Sequence, residues 1–226
     1  MTSTAATSPS ASIEAVFFDF GGVFIDSPFA VVERALADLG VDPTIALDCV
    51  FGPYERDTDH PWHQLERGEI AFEAAREQIH AISVDRVGSP LDPMDLMMRM
   101  GGGGGPRSWM VDGVRALREA GIRTSVITNN AVEFAPFWRP ILPLDELFDD
   151  VVDSSEVGVR KPDPRIFHLA AERLGVEPER SMFIDDYDGN VVGARAVGFE
   201  AICCGYTVDT AQVALAELLD RCLPQD

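Results

Sequence analysis

Four short fragments of the chain end in polar residues whose types suit phosphate chemistry. In chain order they are Val16-Phe17-Phe18-Asp19, Val126-Ile127-Thr128, Val159-Arg160-Lys161 and Met182-Phe183-Ile184-Asp185-Asp186. Three of them are apolar runs that stop abruptly, as expected where a buried parallel strand ends at the carboxyl edge of its sheet. We therefore expect Asp19, Thr128 and the Asp185-Asp186 pair to share one crevice.

These side chains together can transfer a phosphoryl group. An aspartate can serve as the nucleophile, a hydroxyl and an ammonium group can bind phosphoryl oxygens, and an acidic pair can hold Mg²⁺. Lys161 is the only lysine beside seventeen arginines. A lysine at this one place favours a role for a compact point charge where a guanidinium fork would not fit.

The elements that position these residues fall into two kinds. Val16 to Phe20 predicts a buried strand, and Gly21-Gly22 predicts a tight turn whose backbone can approach a ligand. From about Ser27 to Met100 the pattern indicates helices only, first from Phe29 to Leu39 and later over a long stretch from Trp62 to Ile82. Five consecutive glycines, residues 101–105, then predict a hinge.

After the glycines, strand and helix patterns alternate to the end of the chain, which predicts a parallel sheet. The fold class predicted is α/β, a doubly wound Rossmann-like parallel sheet with an inserted all-helical cap domain. The predicted divisions are a disordered tail at 1–12, an α/β core at 13–26 and 106–226, and a helical cap with a glycine-rich hinge at 27–105. A cap rooted beside the crevice would exclude water and shape the substrate pocket.

The composition limits the possible partners. A formal charge of −20 repels nucleic acid and anionic membrane surfaces, and no apolar run approaches the ~20 residues of a membrane span. A small anionic phosphorylated metabolite must then be attracted locally, by a metal and a few cations. The four cysteines show no metal or disulfide spacing, so we expect reduced, mostly buried thiols and a cytoplasmic location. The pattern makes no prediction of oligomeric state.

From Ile13 onward the chain resembles the haloacid dehalogenase-like hydrolase superfamily, with a helical cap inserted after the first strand. The strings FDFGGV, TNN and GVRKPDPRIF look like the subgroup near the phosphatase domain of epoxide hydrolases. The resemblance implies that Asp19 attacks phosphorus, that Asp185, Thr128 and Lys161 complete the catalytic set, and that the product is an aspartyl-phosphate hydrolysed by water. The implied metal ligands for Mg²⁺ are Asp19, the Gly21 carbonyl, Asp185 and Asp186. The implied phosphate-binding positions are Gly21, Gly22, Asn129, Asn130 and Lys161.

One position departs from the family pattern. The family places a second aspartate, the general acid and base, two residues after the nucleophile, where this chain has Gly21. General acid–base help is worth about 10²–10⁴ in rate. We therefore expect a slow phosphatase, one that relies on a good leaving group, or one in which Asp26 or a cap residue supplies the proton.

The function predicted is Mg²⁺-dependent hydrolysis of a small phosphate monoester, such as a sugar phosphate, through an aspartyl-phosphate. One alternative is a haloacid dehalogenase that needs no metal, against which the Asp185-Asp186 pair argues because such a site has little use for extra carboxylates. Another is a degenerate member that binds a ligand without turnover, for which Gly21 is the only argument.

Overall fold

A five-stranded parallel sheet forms the centre of the molecule. The computed structural model describes residues 12–31, 36, 40–100 and 105–224 of the 226. The strands are β1 (Ala15–Phe18), β2 (Arg123–Thr128), β3 (Asp150–Asp153), β4 (Ser181–Asp185) and β5 (Glu200–Cys203). Their order across the sheet is β3-β2-β1-β4-β5, so the winding direction reverses between β1 and β4. Open α/β sheets bind ligands at this reversal, and the order confirms the predicted doubly wound fold.

Helices cover both faces of the sheet and extend beyond it. The longer helices are α1 (Pro43–Phe51), α2 (Pro61–Glu66), α3 (Phe72–Val87), α4 (Pro93–Met100), α5 (Ser108–Glu119), α6 (Pro164–Leu174), α7 (Asp188–Ala196) and α8 (Val208–Cys222). Single α-helical turns occur at Ala135–Trp138, Leu144–Leu147 and Ser154–Val157, and 3₁₀ turns at Pro28–Val31, Val132–Phe134, Arg139–Ile141 and Pro178–Arg180. No helix in the described ranges is long and apolar enough to cross a membrane.

The residues of β1 divide between two hydrophobic clusters. Val16 and Phe18 pack with α5 and α8 on one face, whereas Ala15 and Phe17 pack with α6 and α7 on the other. Successive side chains of a strand point to opposite faces, so a strand covered on both sides must be apolar throughout. This requirement explains why β1 is a continuous apolar run that becomes polar only where it leaves the sheet, at Asp19.

Helices α1 to α4 lie between β1 and β2 in the chain and form a third hydrophobic cluster of their own. We call these four helices the helical insertion. Leu65 of α2 and Ile79 of α3 are among its buried members, and Ala131 from the loop after β2 joins them. The insertion therefore packs as a unit against the edge of the sheet from which it departs.

The single helix predicted from Trp62 to Ile82 is wrong, because the structure has two helices there, α2 and α3. Gly68 lies between them with a φ of +68°, a left-handed conformation that favours glycine. A Cβ at this position would collide with the backbone carbonyl of Ser155, so the break also brings the insertion close to the core. The apolar spacing continues across the break, which is why periodicity alone did not reveal it.

Three predictions fall wholly or largely on residues that are not described: the tail at 1–12, the helix from Phe29 to Leu39 and the glycine hinge at 101–105. The cysteines are free, as expected. Cys49 and Cys204 are buried, Cys222 is partly buried and Cys203 is exposed at the end of the edge strand β5, so only two of the four thiols that were expected to be mostly buried are fully so.

Candidate active site

Asp19 follows β1 directly and lies at the reversal of the sheet. Its backbone N–H donates to the Ile184 carbonyl at 2.9 Å, which continues the pairing of β1 with β4 by one residue. Its side chain is largely buried, and Oδ1 accepts a hydrogen bond from Lys161 Nζ at 2.6 Å. The strand pairing therefore holds the carboxylate at the carboxyl edge of the sheet.

Lys161 bridges the two acidic fragments. Its ammonium group, which is almost fully buried, also donates to Asp185 Oδ2 at 2.7 Å. The side chain of Asn129 holds the lysine backbone from both sides: its Oδ1 accepts from the Lys161 N–H at 2.8 Å, and its Nδ2 donates to the Lys161 carbonyl at 3.0 Å. The loop after β2 therefore positions the lysine that joins β1 to β4.

The acidic pair ends β4, and its two members have different surroundings. Asp185 is fully buried and accepts from Lys161, from Asn190 Nδ2 at 3.0 Å and from the Tyr187 N–H at 2.8 Å. Asp186 accepts from the Ser27 hydroxyl at 2.5 Å. Asp185 is thus held by α7 and the lysine, whereas Asp186 is held by the chain that follows β1.

Gly22 is required by the approach of these two segments. It has a φ of +71°, and a Cβ there would collide with the Asp186 carboxylate. A residue with a side chain would be strained by its backbone and would also push the acidic residue away. The Gly21-Gly22 turn predicted from the sequence therefore lets the chain that follows β1 pass close to Asp186, just after β4.

Three carboxylates at this place could hold a metal ion. Asp19, Asp185 and Asp186 are all buried, and each offers an oxygen within 4.8 Å of the others. When all three carboxylates are ionised, Lys161 balances only one of their negative charges. Oxygen ligands are those that Mg²⁺ prefers, and the donor set fits this ion.

The pKa shifts follow from the same crowding. Burial raises the pKa of Asp19 to about 7, with Asp185 adding to the shift and Lys161 opposing it. Burial, followed by the charges of Asp185 and Asp19, also raises the pKa of Asp186 well above its usual range. Burial works against the charge of Lys161, but the two carboxylates outweigh it and the pKa of the lysine is raised. A bound cation would relieve the repulsion that these shifts express.

The structure brings the predicted residues of the second fragment to the same crevice. Thr128 ends β2 and is almost buried, and Asn129 and Asn130 follow it along the wall. The Asn130 N–H already donates to Ser154 Oγ at 3.0 Å, and the Asn129 side chain is engaged with Lys161. Thr128 and backbone groups near Asn129 are therefore the better placed of these to meet a phosphoryl oxygen.

The upper wall of the crevice is aromatic and was not predicted. The crevice has a volume of about 210 Å³. Its aromatic lining residues are Phe20, Phe29, Tyr54, Trp138 and Tyr187. Phe29, Tyr54 and Tyr187 contact one another with ring centroids 5.1 to 5.7 Å apart. They come from three separate parts of the chain, so no local spacing could have associated them.

A buried ion pair joins the helical insertion to the core beside Lys161. Glu66, at the end of α2, accepts from Arg160 Nε at 2.6 Å and from Trp62 Nε1 at 2.9 Å. Arg160 is almost fully buried, and it immediately precedes Lys161. Glu66 also lines the crevice, but both of its oxygens are engaged. The sequence analysis did not predict this ion pair. The only local indication was that Arg160 lies next to Lys161 in the third polar fragment.

Asp26, which was predicted as a substitute proton donor, lies outside the crevice. Its carboxylate is 45 % exposed and 3.8 Å from Arg107, and it is not among the residues that line the crevice. The carboxylate from the helical insertion that does line the crevice is Glu66.

Among curated proteins, the chain is similar both to much longer proteins and to one of about its own length. The chain is 30% identical over 211 residues to acyl-CoA dehydrogenase family member 10 of Mus musculus, with 92% of this chain and 19% of that protein covered. It is 26% identical to bifunctional epoxide hydrolase 2 of the same organism, with 82% and 35% covered. The chain thus spans about a fifth and a third of these relatives. Sesquiterpene phosphatase astK of Aspergillus oryzae is 27% identical, with 83% and 87% covered.

Solved structures share the fold at lower identity. One described as a predicted HAD-like family hydrolase of Porphyromonas gingivalis superposes with a TM-score of 0.63 at 24% identity, covering 92% of this chain and 98% of that one. A Bacteroides thetaiotaomicron HAD family enzyme in complex with magnesium and inorganic phosphate gives 0.61 at 19%, covering 89% and 99%. The L-2-haloacid dehalogenase of Xanthobacter autotrophicus with chloropropionic acid covalently bound gives 0.56 at 21%, covering 92% and 82%. At these identities the likeness shows the fold alone.

The family assignment rests on a match that spans most of the chain. Residues 13–198 match the haloacid dehalogenase-like hydrolases, the range that contains the helical insertion and all four polar fragments. The epoxide hydrolase and phosphatase relatives agree with the subgroup that the motifs resemble. The chain therefore belongs to the haloacid dehalogenase-like hydrolase family.

Proposed function

We propose that the protein is a Mg²⁺-dependent phosphatase that hydrolyses a small phosphate monoester through an aspartyl-phosphate on Asp19. The observation that carries the proposal is the bridge from Lys161 Nζ to Asp19 and Asp185, beside a third carboxylate that leaves room for a cation. The phosphatases among the relatives support it. The helical insertion would act as the cap over this crevice.

Asp19 has one carboxylate oxygen committed and one available for attack. Because Lys161 holds Oδ1, attack on phosphorus falls to Oδ2, which faces Gly21. An Oδ2–phosphorus bond forms as the bond from phosphorus to the leaving oxygen breaks, and that oxygen departs with the electron pair. Water then attacks phosphorus, which releases inorganic phosphate and restores the Asp19 carboxylate.

The surrounding residues orient the reaction and stabilise its charge. Lys161 keeps Asp19 aligned and offsets negative charge on the transferring group, while Thr128 and backbone N–H groups near Asn129 bind phosphoryl oxygens. Asp19, Asp185, Asp186 and the Gly21 carbonyl would hold Mg²⁺, which when bound supplies Lewis-acid stabilisation of the phosphoryl oxygens. Asn190 and Tyr187 fix Asp185 for this role through their hydrogen bonds to its two oxygens.

Hydrolysis of p-nitrophenyl phosphate tests the proposal, because that leaving group needs little protonation. We expect activity with Mg²⁺ and its loss with EDTA or with Asp19→Asn. Asp26→Asn is the matched control, since it removes a carboxylate from the same loop but outside the crevice. Folded protein without Mg²⁺-dependent turnover would contradict the proposal, and halide release from 2-chloropropionate without metal would establish the dehalogenase alternative instead.

A further inference from the structure

The crevice carries no proton donor at the position where the family has its general acid. A Cβ on Gly21 would meet only Asp19 Oδ2, at 4.0 Å, among atoms within 4 Å. Gly21 is also absent from the glycines with positive φ, unlike its neighbour Gly22. Neither the backbone nor the packing of the described residues therefore requires glycine here. A Cβ fits at position 21, but this chain has no acidic side chain there.

Among the described residues that line the crevice, Asp19 and Asp186 already serve as nucleophile and metal ligand in the proposed function, and the remaining ionisable groups are committed or poorly suited to replace the missing acid. Glu66 accepts from Arg160 and from Trp62, one bond to each oxygen. Lys161 is bound to two carboxylates. The Tyr54 phenol is buried among the rings of Phe29 and Tyr187, and this burial raises its pKa, which makes it a weaker acid. Proton donation is most efficient when the pKa of the donor lies near the working pH.

The wall also limits what the leaving group can be. Rings from Phe29, Tyr54, Tyr187 and Trp138 offer flat apolar contact area. Among the described residues that line the crevice, Lys161 is the only cation, and its ammonium group faces Asp19 and Asp185. A second anionic group on a substrate would therefore meet carboxylates without a counter-ion.

We infer that the substrates are aryl phosphates: phosphate monoesters of an uncharged phenol, whose oxygen leaves without a proton from the protein. This inference rests on the proposed function and names its substrate class. The electron pair of the phosphorus–oxygen bond departs on the phenolate oxygen, which takes its proton from solvent. A phenol ionises near pH 10, as tyrosine does (~10), so its anion is a far better leaving group than an alkoxide.

Matched substrates test the leaving group. We would measure kcat/KM with Mg²⁺ for p-nitrophenyl, phenyl and p-methoxyphenyl phosphates, and for benzyl phosphate, which keeps the ring but leaves as an alkoxide. For the wild-type protein we expect rates that fall steadily with phenol acidity and at least about 10²-fold slower hydrolysis of benzyl than of phenyl phosphate, because no acid assists departure. Similar rates for benzyl and phenyl phosphate would overturn the inference.

Two variants of Gly21 test the missing acid. Gly21→Asp supplies a carboxyl group, and Gly21→Asn supplies a side chain of the same size without an acidic proton. We expect Gly21→Asp to raise the ratio of benzyl to p-nitrophenyl hydrolysis by about 10²–10⁴-fold, the range of general acid catalysis, whatever it does to the absolute rate. Gly21→Asn, equal in size but without an acidic proton, should leave that ratio unchanged. An equal rise in both variants would contradict the role of the proton. If either variant fails to fold, the wild-type series decides alone.

Failure of the inference can be told from failure of the proposed function. Absence of p-nitrophenyl phosphate hydrolysis with Mg²⁺ removes the phosphatase and this inference with it. Hydrolysis of p-nitrophenyl and benzyl phosphates at comparable rates keeps the phosphatase and removes the aryl preference. A p-carboxyphenyl phosphate hydrolysed as well as its p-carbamoyl analogue would show that the wall accepts an anionic group, contrary to the expected loss of about tenfold or more.

Discussion

The floor and the upper wall of the crevice are built by different means. The floor consists of residues that end neighbouring strands, where backbone pairing brings Asp19 beside Asp185 and Asp186. The wall gathers rings from the turn before α1, from the loop between α1 and α2, from the loop after β2 and from the start of α7. Three of these rings, those of Phe29, Tyr54 and Tyr187, meet through side-chain contacts. Charge concentrates on the floor and apolar surface on the wall. The comparison suggests that the floor carries the reaction and the wall carries the choice of substrate.

The largest effect should come from Asp19→Asn. We expect a loss of at least about 10⁴-fold in kcat, because the amide cannot form the phosphoryl bond and the other groups act only with it. Measured phosphate release with Mg²⁺ checks this, together with a far-ultraviolet spectrum to confirm folding. Substantial remaining turnover would mean that the floor does not provide the nucleophile.

Glu66→Gln should break the buried ion pair with Arg160, which joins the helical insertion beside the wall to the core beside the floor. Removing the Glu66 charge leaves the buried Arg160 guanidinium with the more distant Asp57 carboxylate, at 3.8 Å, and should cost up to about 3–5 kcal/mol in the free energy of unfolding. The control is Glu217→Gln, whose pair with Arg221 is about half exposed and should change stability by about 1 kcal/mol or less. Denaturant titration compares the two. Equal losses would show that burial of the pair is irrelevant.

Lys161→Met should reduce turnover while leaving the wall intact. We expect about a 10²–10³-fold loss in kcat, similar to the removal of one preorganised charge-stabilising donor. Lys161→Arg should not restore it, since a guanidinium fork does not match the space between Asp19 and Asp185. Recovery of activity in the arginine variant would show that any cation is sufficient there.

The two regions should respond to pH with opposite signs. The raised pKa of Asp19, about 7 against an ordinary 3.8, means that the folded state binds more protons than the unfolded state between these values. Without metal, the free energy of unfolding should therefore fall as pH rises through that window, and Asp19→Asn should flatten the slope. Added Mg²⁺ should stabilise most at the upper end, where the carboxylates are ionised.

In the helical insertion the sign reverses. Burial, with the nearby charge of Arg160, lowers the pKa of His63 from 6.5 to about 3, so the folded state binds fewer protons between these values. Stability from this group is lost as pH falls below 6.5. His63→Gln should remove that loss, whereas substitution of the exposed His168 should not. Denaturation at pH 5 and pH 7.5 distinguishes the variants, and identical profiles would refute the assignment.

The smallest effect should come from the wall itself. Tyr54→Ala should raise KM for p-nitrophenyl phosphate by about 3- to 10-fold with little change in kcat, since ring contacts are worth about 0.5–1.5 kcal/mol. Tyr54→Phe keeps the ring and should keep KM. A fall in kcat in the phenylalanine variant would show that the hydroxyl takes part in the chemistry.

The sequence was most informative where a residue's position depends on the backbone. Asp19, Thr128 and Asp185 end strands that were recognisable as apolar runs, and parallel pairing brings such ends together whatever the side chains are. The prediction was less successful in the insertion, where a glycine splits one apolar periodicity into α2 and α3. The division into domains and the cytoplasmic location stay predictions.

The amino-acid sequence by itself determined the α/β fold, the family and the charged floor, because each depends on local patterns that strand pairing converts into geometry. Only the tertiary structure decided which groups surround that floor. Its decisive contacts join residues far apart in the chain: Glu66 with Arg160, Tyr54 with Tyr187, and Asp26 with Arg107, outside the crevice. Such contacts depend on how the insertion packs against the core, and side-chain packing of this kind leaves no periodic signal in the sequence.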